Sequence, residues 1–191
     1  MYRLLWILLS VIGLATDADA QKREDMSREP SNPKTLVAYF SATGTTARCA
    51  NKLAALAGGE IYRIVPAQPY TEADLDWNDK QSRTSIEMNN PDCRPAMKDK
   101  KENIADYDVI FIGYPIWWDL APRIINTFIE GHDLTGKTII PFATSGSSAL
   151  AASAAALQRS YLALDWKEGR LLNRADDKSI RDWLDKLGYG L

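Results

Sequence analysis

The sequence has few of the residues on which metal sites and disulfide scaffolds depend. It contains two cysteines and one histidine among 191 residues, whereas a structural zinc ion usually takes four such ligands. The same count excludes a disulfide-dense scaffold. Nine prolines and eleven glycines exclude a collagen-like or low-complexity chain. What is left, with 46% hydrophobic and 25% charged residues, is typical of an ordinary globular domain.

The chain also lacks an excess of positive charge. Twenty-three Lys and Arg residues against 25 Asp and Glu residues give a net charge of −2. Proteins that bind nucleic acids normally present a basic surface to the phosphate backbone. The charge balance therefore argues against a nucleic-acid partner.

The first twenty residues predict a secretion signal. Arg3 precedes an apolar run at residues 4–14, and Ala18-Asp19-Ala20 places small residues at the two positions that signal peptidase reads. The run is shorter than the roughly 20 residues that span a bilayer, although an uncleaved membrane anchor is the alternative. We expect an exported protein, periplasmic or secreted, without a stable membrane span after cleavage. A flexible leader at 21–34 and one domain at 35–191 would follow.

Export bears on the two cysteines. In an oxidising compartment an even number of cysteines suits a disulfide, so Cys49 and Cys93 are expected either to form one bridge or to remain as two free thiols.

Strands alternate with helices along the domain. Short apolar runs rich in β-branched and aromatic residues predict five strands, at 35–40, 60–65, 108–113, 137–143 and 163–166. Amphipathic or alanine-rich stretches predict four helices, at 45–57, 120–130, 149–161 and 178–187. Repeated β–α units predict an α/β fold, a doubly wound parallel sheet with helices on both faces.

Two features interrupt this alternation. Pro141 lies inside the fourth strand and predicts a bulge or a strand end there. Residues 66–106 show no long periodic element, which is typical of a functional segment, and a short helix is expected around 70–82. His132 is expected in a solvated turn rather than as a catalytic base.

The loop after the first strand, Ser41-Ala42-Thr43-Gly44-Thr45-Thr46, carries four hydroxyls. In doubly wound sheets ligands bind at the carboxyl ends of the strands, and the helix N-terminus that follows supplies unpaired N–H groups. The loop therefore predicts a cradle for a phosphate monoester. A Ser/Thr-rich helix cap is the alternative. Neither GxxxxGK[ST] nor GxGxxG describes this loop.

Two further loops follow the third and fourth strands. In Tyr114-Pro115-Ile116-Trp117-Trp118-Asp119 the adjacent tryptophans face opposite ways, so one is free to lie against a planar aromatic ring. The alternative is that both cover the sheet end or a partner surface. Thr144-Ser145-Gly146-Ser147-Ser148 offers small polar groups for the edge of a heterocycle, or else caps the next helix. Together the three loops describe a flavin mononucleotide (FMN) site.

At these loops the sequence resembles the flavodoxin family. Ser41-x-Thr43-Gly44-x-Thr46 matches the phosphate-loop pattern [ST]-x-T-G-x-T, and the runs GYPIWW, PFATSGSS and RTSIEMNNP are similar to one flavodoxin-like branch. The resemblance covers residues 35–187 and implies a five-stranded sheet in the order 2-1-3-4-5 with noncovalently bound FMN. It implies that the phosphate is held by Ser41, Thr43, Gly44, Thr45 and Thr46, that the isoalloxazine is flanked by Pro115, Ile116, Trp117 and Trp118, and that its pyrimidine side meets Thr144, Ser145, Gly146 and Ser147.

The resemblance leaves open what an FMN protein of this kind does. An electron carrier with a redox partner protein or a small electron acceptor is favoured over an FMN-dependent NAD(P)H/quinone oxidoreductase, because the tryptophans would crowd a substrate. A sugar- or anion-binding module without flavin is the third class. Trp77 and Tyr70 are candidates for the far face of the ring. Asp119, with no Lys or Arg in the three loops, predicts a low reduction potential.

Overall fold

A parallel sheet of six strands organises residues 33–190, the part of the chain that the computed structural model describes. The strands are β1 (Thr35–Tyr39), β2 (Glu60–Arg63), β3 (Val109–Pro115), β4 (Thr138–Thr144), β5 (Asp165–Trp166) and β6 (Arg170–Leu171). The helices are α1 (Thr45–Ala57), α2 (Arg83–Asn89), α3 (Arg123–Glu130), α4 (Leu150–Ser160) and α5 (Asp177–Leu187). The expected signal at residues 1–20, and the expected leader up to residue 32, lie outside the described residues. Among the residues that are described, none of the helices combines the length and the apolar character needed to cross a bilayer.

The strand order is β2-β1-β3-β4-β5, and β6 also pairs with β4. The predicted α/β class and the order 2-1-3-4-5 are therefore confirmed, with one additional short strand. All pairings between these strands are parallel. The carboxyl ends of β1, β3 and β4 consequently lie at one edge of the sheet.

Pro141 marks the point where the outer edge of the sheet is interrupted. β5 pairs with Thr138 and Ile139, and β6 pairs only from Phe142 onward. Pro141 has no N–H to donate to a neighbouring strand, so the segment that joins β5 to β6 separates from β4 at this point. Gly169 passes so close to the Pro141 carbonyl oxygen that a Cβ at this position would clash with it. The predicted irregularity thus occurs in the neighbouring edge, while β4 itself continues to Thr144.

The three central strands β1, β3 and β4 bury both of their faces. Alternate side chains of β1 point to opposite sides: Leu36 and Ala38 join the apolar cluster that α3 covers, whereas Val37 joins the cluster beneath α1 and α5. Every residue of β1 is buried. This explains why the sequence of β1 is continuously apolar rather than alternating.

The segment 66–106 is ordered differently from the prediction. The short helix expected around 70–82 is wrong, because only a 3-10 turn forms there, at Ala73–Leu75. The helix of this segment is α2, which begins after Ser82. The Ser82 hydroxyl oxygen accepts a hydrogen bond from the Ser85 amide at 3.3 Å. The helix predicted from residue 120 likewise begins later, at Arg123, with Pro122 just before its first turn.

Of the two alternatives left open for the cysteines, the structure has the second, because Cys49 and Cys93 are both free thiols. Cys49 lies on α1, where its thiol is 3.6 Å from the Leu172 carbonyl oxygen. Cys93 lies near Pro95, whose carbonyl accepts a hydrogen bond from Thr127 of α3 at 3.0 Å. Since α1 and α3 cover opposite faces of the sheet, the sheet separates the two thiols.

His132 is half-buried rather than in a solvated turn. Its Nε2 accepts a hydrogen bond from the Lys101 amide at 3.0 Å, and its Nδ1 lies 2.7 Å from the Phe128 carbonyl oxygen. These partners suit the neutral ring, which has one donor and one acceptor. Burial lowers the pKa of His132. The side chain therefore fastens the charged segment around Lys101 to the end of α3.

Candidate functional site

The β1–α1 loop is held in a tight turn by its own residues. The buried Ser41 accepts a hydrogen bond through its hydroxyl oxygen from the Gly44 amide at 3.1 Å. Gly44 has a φ of 91°, a left-handed conformation that favours glycine. The turn brings Thr43, Thr45 and Thr46 to the N-terminus of α1.

The N-terminus of α1 is not capped by a side chain of any described residue. The helix-cap alternative for the loop hydroxyls is therefore wrong, and the N-terminal N–H groups face the loop without side-chain partners. The Arg48 guanidinium donates to the Thr45 hydroxyl at 3.3 Å. Although the loop itself contains no cation, α1 thus places one beside it.

The first and third loops are joined by a buried hydrogen bond. The hydroxyls of Thr46 and Thr144 lie 2.8 Å apart. Both residues are buried, although 98 positions separate them in the chain. The second loop is fastened to the same point, because the Ile116 amide donates to the Thr144 carbonyl oxygen at 2.9 Å.

The two adjacent tryptophans lie in different surroundings. Trp117 and Leu120 exchange two backbone hydrogen bonds of 2.9 Å, which closes a tight turn with Trp118 and Asp119 at its tip. These two residues have φ values of 47° and 60°, the left-handed geometry of a type I′ turn. A strained turn at a ligand edge is typical of functional sites. Trp118 is left 47% exposed at the tip.

Trp117 is held from behind by an aromatic cluster. Its ring packs edge-on against Phe40 at 5.6 Å and against Tyr70 at 5.5 Å between centroids. The Tyr70 hydroxyl donates to the buried Glu87 carboxylate at 2.5 Å, and the Arg83 guanidinium lies 3.9 Å above the Tyr70 ring. Burial and this carboxylate raise the pKa of Tyr70. Tyr70 is thus a support for Trp117 and lies outside the ligand clefts, contrary to its candidacy for the far face of a ring.

The third loop is folded around Ser145. Its hydroxyl oxygen accepts hydrogen bonds from the amides of Ser147 at 3.2 Å and Ser148 at 2.7 Å. The Ser145 amide donates to the Asn173 side-chain oxygen at 3.4 Å. No side chain of a described residue caps α4, so the alternative role of this loop as a helix cap is wrong.

The three loops enclose two adjoining clefts. The hydroxyl cleft, of about 400 Å³, lies at the N-terminus of α1; its lining is Ser41, Ala42, Thr43, Thr45, Thr46, Leu75, Pro115, Ile116, Trp117, Thr144, Ser145, Gly146 and Asn173. The tryptophan cleft, of about 510 Å³, is lined by Leu75, Trp77, Thr84, Ile116, Trp117, Trp118 and residues 145–148. Five residues line both clefts, which makes them two ends of one site.

The structure brings the predicted site residues together. Twelve of the thirteen line one or both clefts, and Gly44 shapes the turn without lining either. Trp77, 71% exposed, faces the tryptophan cleft, as its candidacy requires. Leu75 was missed because the segment that carries it has no periodic pattern, whereas Thr84 lies in the run RTSIEMNNP, which was noted for its family resemblance but not assigned to the site. Asn173 was missed because it follows β6, a strand that was not predicted.

The residues present fit a phosphate monoester attached to a planar ring. The Thr43 hydroxyl has no hydrogen-bond partner among the described residues, and the uncapped α1 N-terminus lies beside it. The tryptophan cleft supplies the exposed rings of Trp77 and Trp118. Both volumes lie in the range of small-molecule sites, roughly 300–1,000 Å³.

Comparisons with known proteins agree with this geometry. The family model described as Flavodoxin matches residues 34–187. A protein provisionally described as a flavoprotein, from Bacteroides eggerthii DSM 20697, is 69% identical, with a TM-score of 0.81 over 82% of this chain and 99% of that chain. One of the same description from Bacteroides uniformis ATCC 8492 is 55% identical, with a TM-score of 0.79 over 81% and 99% of the two chains.

A more distant structure shares the fold. The flavoprotein in complex with FMN from Lactobacillus acidophilus NCFM is 22% identical, with a TM-score of 0.62 over 79% of this chain and 98% of that one. No curated protein matches the sequence. Because the family model matches nearly all of the described residues, this chain belongs to the flavodoxin family.

Proposed function

We propose that this chain is an exported FMN-binding flavoprotein that carries electrons to a redox partner protein or a small electron acceptor. The observation that supports it is the convergence of twelve predicted residues on two adjoining clefts, one rich in hydroxyls and one in tryptophans. A phosphate group and a planar ring on one molecule require that pair of environments.

The hydroxyl cleft would hold the phosphate. Thr43, Thr45 and Thr46 contribute hydroxyls, and the α1 N-terminus contributes N–H groups and the positive end of the helix dipole. Arg48 lies beside Thr45 and adds a positive charge. These groups compensate a phosphate dianion without a metal ion.

The tryptophan cleft would hold the ring. Trp77 and Trp118 present exposed aromatic surface, and Trp117 is fixed by Phe40 and Tyr70. Stacking on aromatic faces suits a planar heterocycle. The loop 144–148 would meet the polar edge of the ring with its small side chains and backbone groups.

FMN, when bound, supplies the capacity to accept and release one or two electrons. The chain sets how readily it does so through the charges near the ring. No Lys or Arg occurs among the described residues that line the tryptophan cleft. A site without cations disfavours added negative charge, so we expect a low reduction potential.

An FMN-dependent NAD(P)H/quinone oxidoreductase is the competing function. It requires space for a second molecule over the ring, and Trp77 and Trp118 both line the cleft in which that molecule would have to lie. The two aromatic side chains favour the carrier, because they cover the ring that a substrate would have to reach.

Stepwise reduction of the FMN-saturated mature protein tests the proposal. We expect a yellow protein whose absorbance changes in two separable one-electron steps, without steady consumption of NAD(P)H when a quinone is added. Steady NAD(P)H consumption would establish the reductase instead. A folded protein that stays colourless in excess FMN would overturn both, leaving the sugar- or anion-binding module.

Export is tested separately, on the full chain expressed in a Gram-negative host. Mass spectrometry is expected to find a periplasmic protein that begins at Gln21. Ala20→Trp is expected to block cleavage, because signal peptidase requires a small residue there, whereas Asp19→Asn serves as the matched control. A cytoplasmic chain with an intact N-terminus would contradict export.

A further inference from the structure

A third cleft lies on the other side of the loop 145–148. This arginine cleft has a volume of about 380 Å³. Its lining consists of Ser145, Gly146, Ser147, Ser148, Arg170, Leu171, Asn173, Arg174, Ala175 and Ser179. Of these, the proposed FMN site uses only the loop and Asn173.

The arginine cleft carries two positive charges and no negative one among its lining residues. The Arg170 guanidinium is fixed by one hydrogen bond to the Ser179 carbonyl oxygen, at 2.7 Å. A guanidinium has five N–H donors, so most of those of Arg170 are available. Arg174 is exposed. Within residues 33–190, neither arginine forms an ion pair.

The carboxylates next to the cleft in sequence have other partners. Asp176 accepts a hydrogen bond from the Ser179 amide at 2.8 Å, which caps α5. Asp177 pairs with Lys52 at 2.9 Å. Neither lines the cleft, so the two guanidinium groups are left to an outside anion.

The wall between the arginine cleft and the tryptophan cleft is thin. Ser145, Gly146, Ser147 and Ser148 line both. The loop is fixed in this position by the hydrogen bonds that Ser145 accepts from its neighbours' amides. A molecule anchored in the arginine cleft therefore has its free end beside the tryptophan cleft.

We propose that the arginine cleft binds the phosphate group of a small molecule. Two guanidinium groups match the double charge of a phosphate dianion, and arginine pairs with phosphate oxygens through paired N–H donors. The hydroxyls of Ser147 and Ser148 lie on the same wall. The role of the bound molecule rests on the proposed function. If that function holds, the phosphorylated molecule is an electron donor or acceptor that reaches the ring over the loop 145–148.

Titration of inorganic phosphate into the FMN-loaded protein at constant ionic strength tests the site, because the hydroxyl cleft is then filled. We expect one phosphate per chain. Arg174→Gln is expected to weaken its binding about tenfold or more, since a hydrogen bond to a charged group is lost. Arg159→Gln removes an exposed arginine that lies outside the cleft and is expected to leave the affinity unchanged.

The same titration on FMN-free protein separates this inference from the proposed function. Two phosphate sites are then expected, one weakened by Arg174→Gln and the other by Thr43→Val. If FMN does not bind but the Arg174-dependent site persists, the proposed function alone fails. Equal phosphate binding by folded Arg174→Gln and Arg159→Gln would overturn the inference. Tighter binding of succinate than of phosphate at this site would overturn the assignment to phosphate.

Discussion

The hydroxyls of Thr46 and Thr144 lie 2.8 Å apart in the interior of the protein, where they join the start of α1 to the end of β4. Either hydroxyl can donate to the other, and both residues line the hydroxyl cleft. The bond therefore fixes the separation of two loops that form opposite parts of the candidate site. The bond also makes the geometry of the hydroxyl cleft around Thr46 depend on Thr144, which lies 98 positions later in the chain.

Removing one of these hydroxyls should destabilise the FMN-free protein. In Thr46→Val the Thr144 hydroxyl is left buried without its partner, which costs about 1–3 kcal/mol of unfolding free energy. The double variant with Thr144→Val removes both polar groups, so its loss should be smaller than the sum of the two single losses. Urea unfolding of the four proteins measures this, and strict additivity would contradict it.

The Thr43 hydroxyl is expected to act on the phosphate of FMN. Thr43→Val should weaken FMN binding about tenfold, because one hydrogen bond to a charged group is lost. Riboflavin, which has no phosphate, should bind the variant and the wild type equally well. Fluorescence titration with both ligands measures the difference. Equal losses for FMN and riboflavin would remove Thr43 from the phosphate site.

The exposed tryptophans, unlike Thr43, should affect the binding of FMN and of riboflavin equally. Trp77→Ala and Trp118→Ala are each expected to weaken FMN and riboflavin alike, by about tenfold, since stacking on a ring is worth roughly 1–3 kcal/mol. Unfolding free energies should change little, because Trp77 is 71% and Trp118 47% exposed. Leu162→Ala, at a residue that is 83% exposed and lines neither cleft, is the control. Unchanged riboflavin affinity in both tryptophan variants would place the ring elsewhere.

The Tyr70 hydroxyl is expected to matter for stability more than for binding. Tyr70→Phe keeps the ring that supports Trp117 but takes away a hydrogen bond to the buried Glu87 carboxylate, which should cost about 1.5–3 kcal/mol. Tyr62→Phe loses a hydrogen bond to the backbone carbonyl oxygen of the exposed Asp99 and should cost less. A Tyr70→Phe protein as stable as Tyr62→Phe would contradict the role assigned to Glu87.

His132 should make the protein less stable at mildly acidic pH. Burial, with a smaller contribution from Lys100, lowers the pKa of the folded-state ring below its unfolded value. The stabilisation is therefore complete above the unfolded pKa, about 6.5, and is lost as the pH falls toward the folded pKa. Because the sequence has one histidine, His132→Gln should flatten the fall in unfolding free energy between about pH 7 and 5.5. Parallel pH profiles for the two proteins would contradict this.

The sequence was sufficient to predict those helices and strands whose local pattern agrees with their burial. The helix predicted at 45–57 has those bounds in the structure, because its apolar stripe faces the sheet and Gly58 ends it in a left-handed conformation. The buried strands β1 and β3 were recognisable from their continuous apolar runs. Parallel strands then bring their carboxyl ends to one edge, which is why three separate loops predicted one site.

The segment 66–106 could not be read from local pattern. α2 is held by side-chain hydrogen bonds to backbone that is distant in the chain. The Thr84 hydroxyl donates to the Asp74 carbonyl oxygen at 2.8 Å. The Arg123 guanidinium donates to the Met88 carbonyl oxygen at 2.8 Å. Such bonds leave no periodic signal in the sequence. The position of Trp77 at the tryptophan cleft follows from them.

By itself, the sequence determined the fold class, the strand order through its family resemblance, and the residues that meet at the sheet edge, because periodicity and loop chemistry are local properties. Only the tertiary structure decided that the two thiols lie on opposite faces, that Trp118 is exposed while Trp117 is supported, and that Arg170 and Arg174 share a cleft with the loop 145–148. Those relationships depend on how residues far apart in the chain are packed together, and no local pattern encodes them.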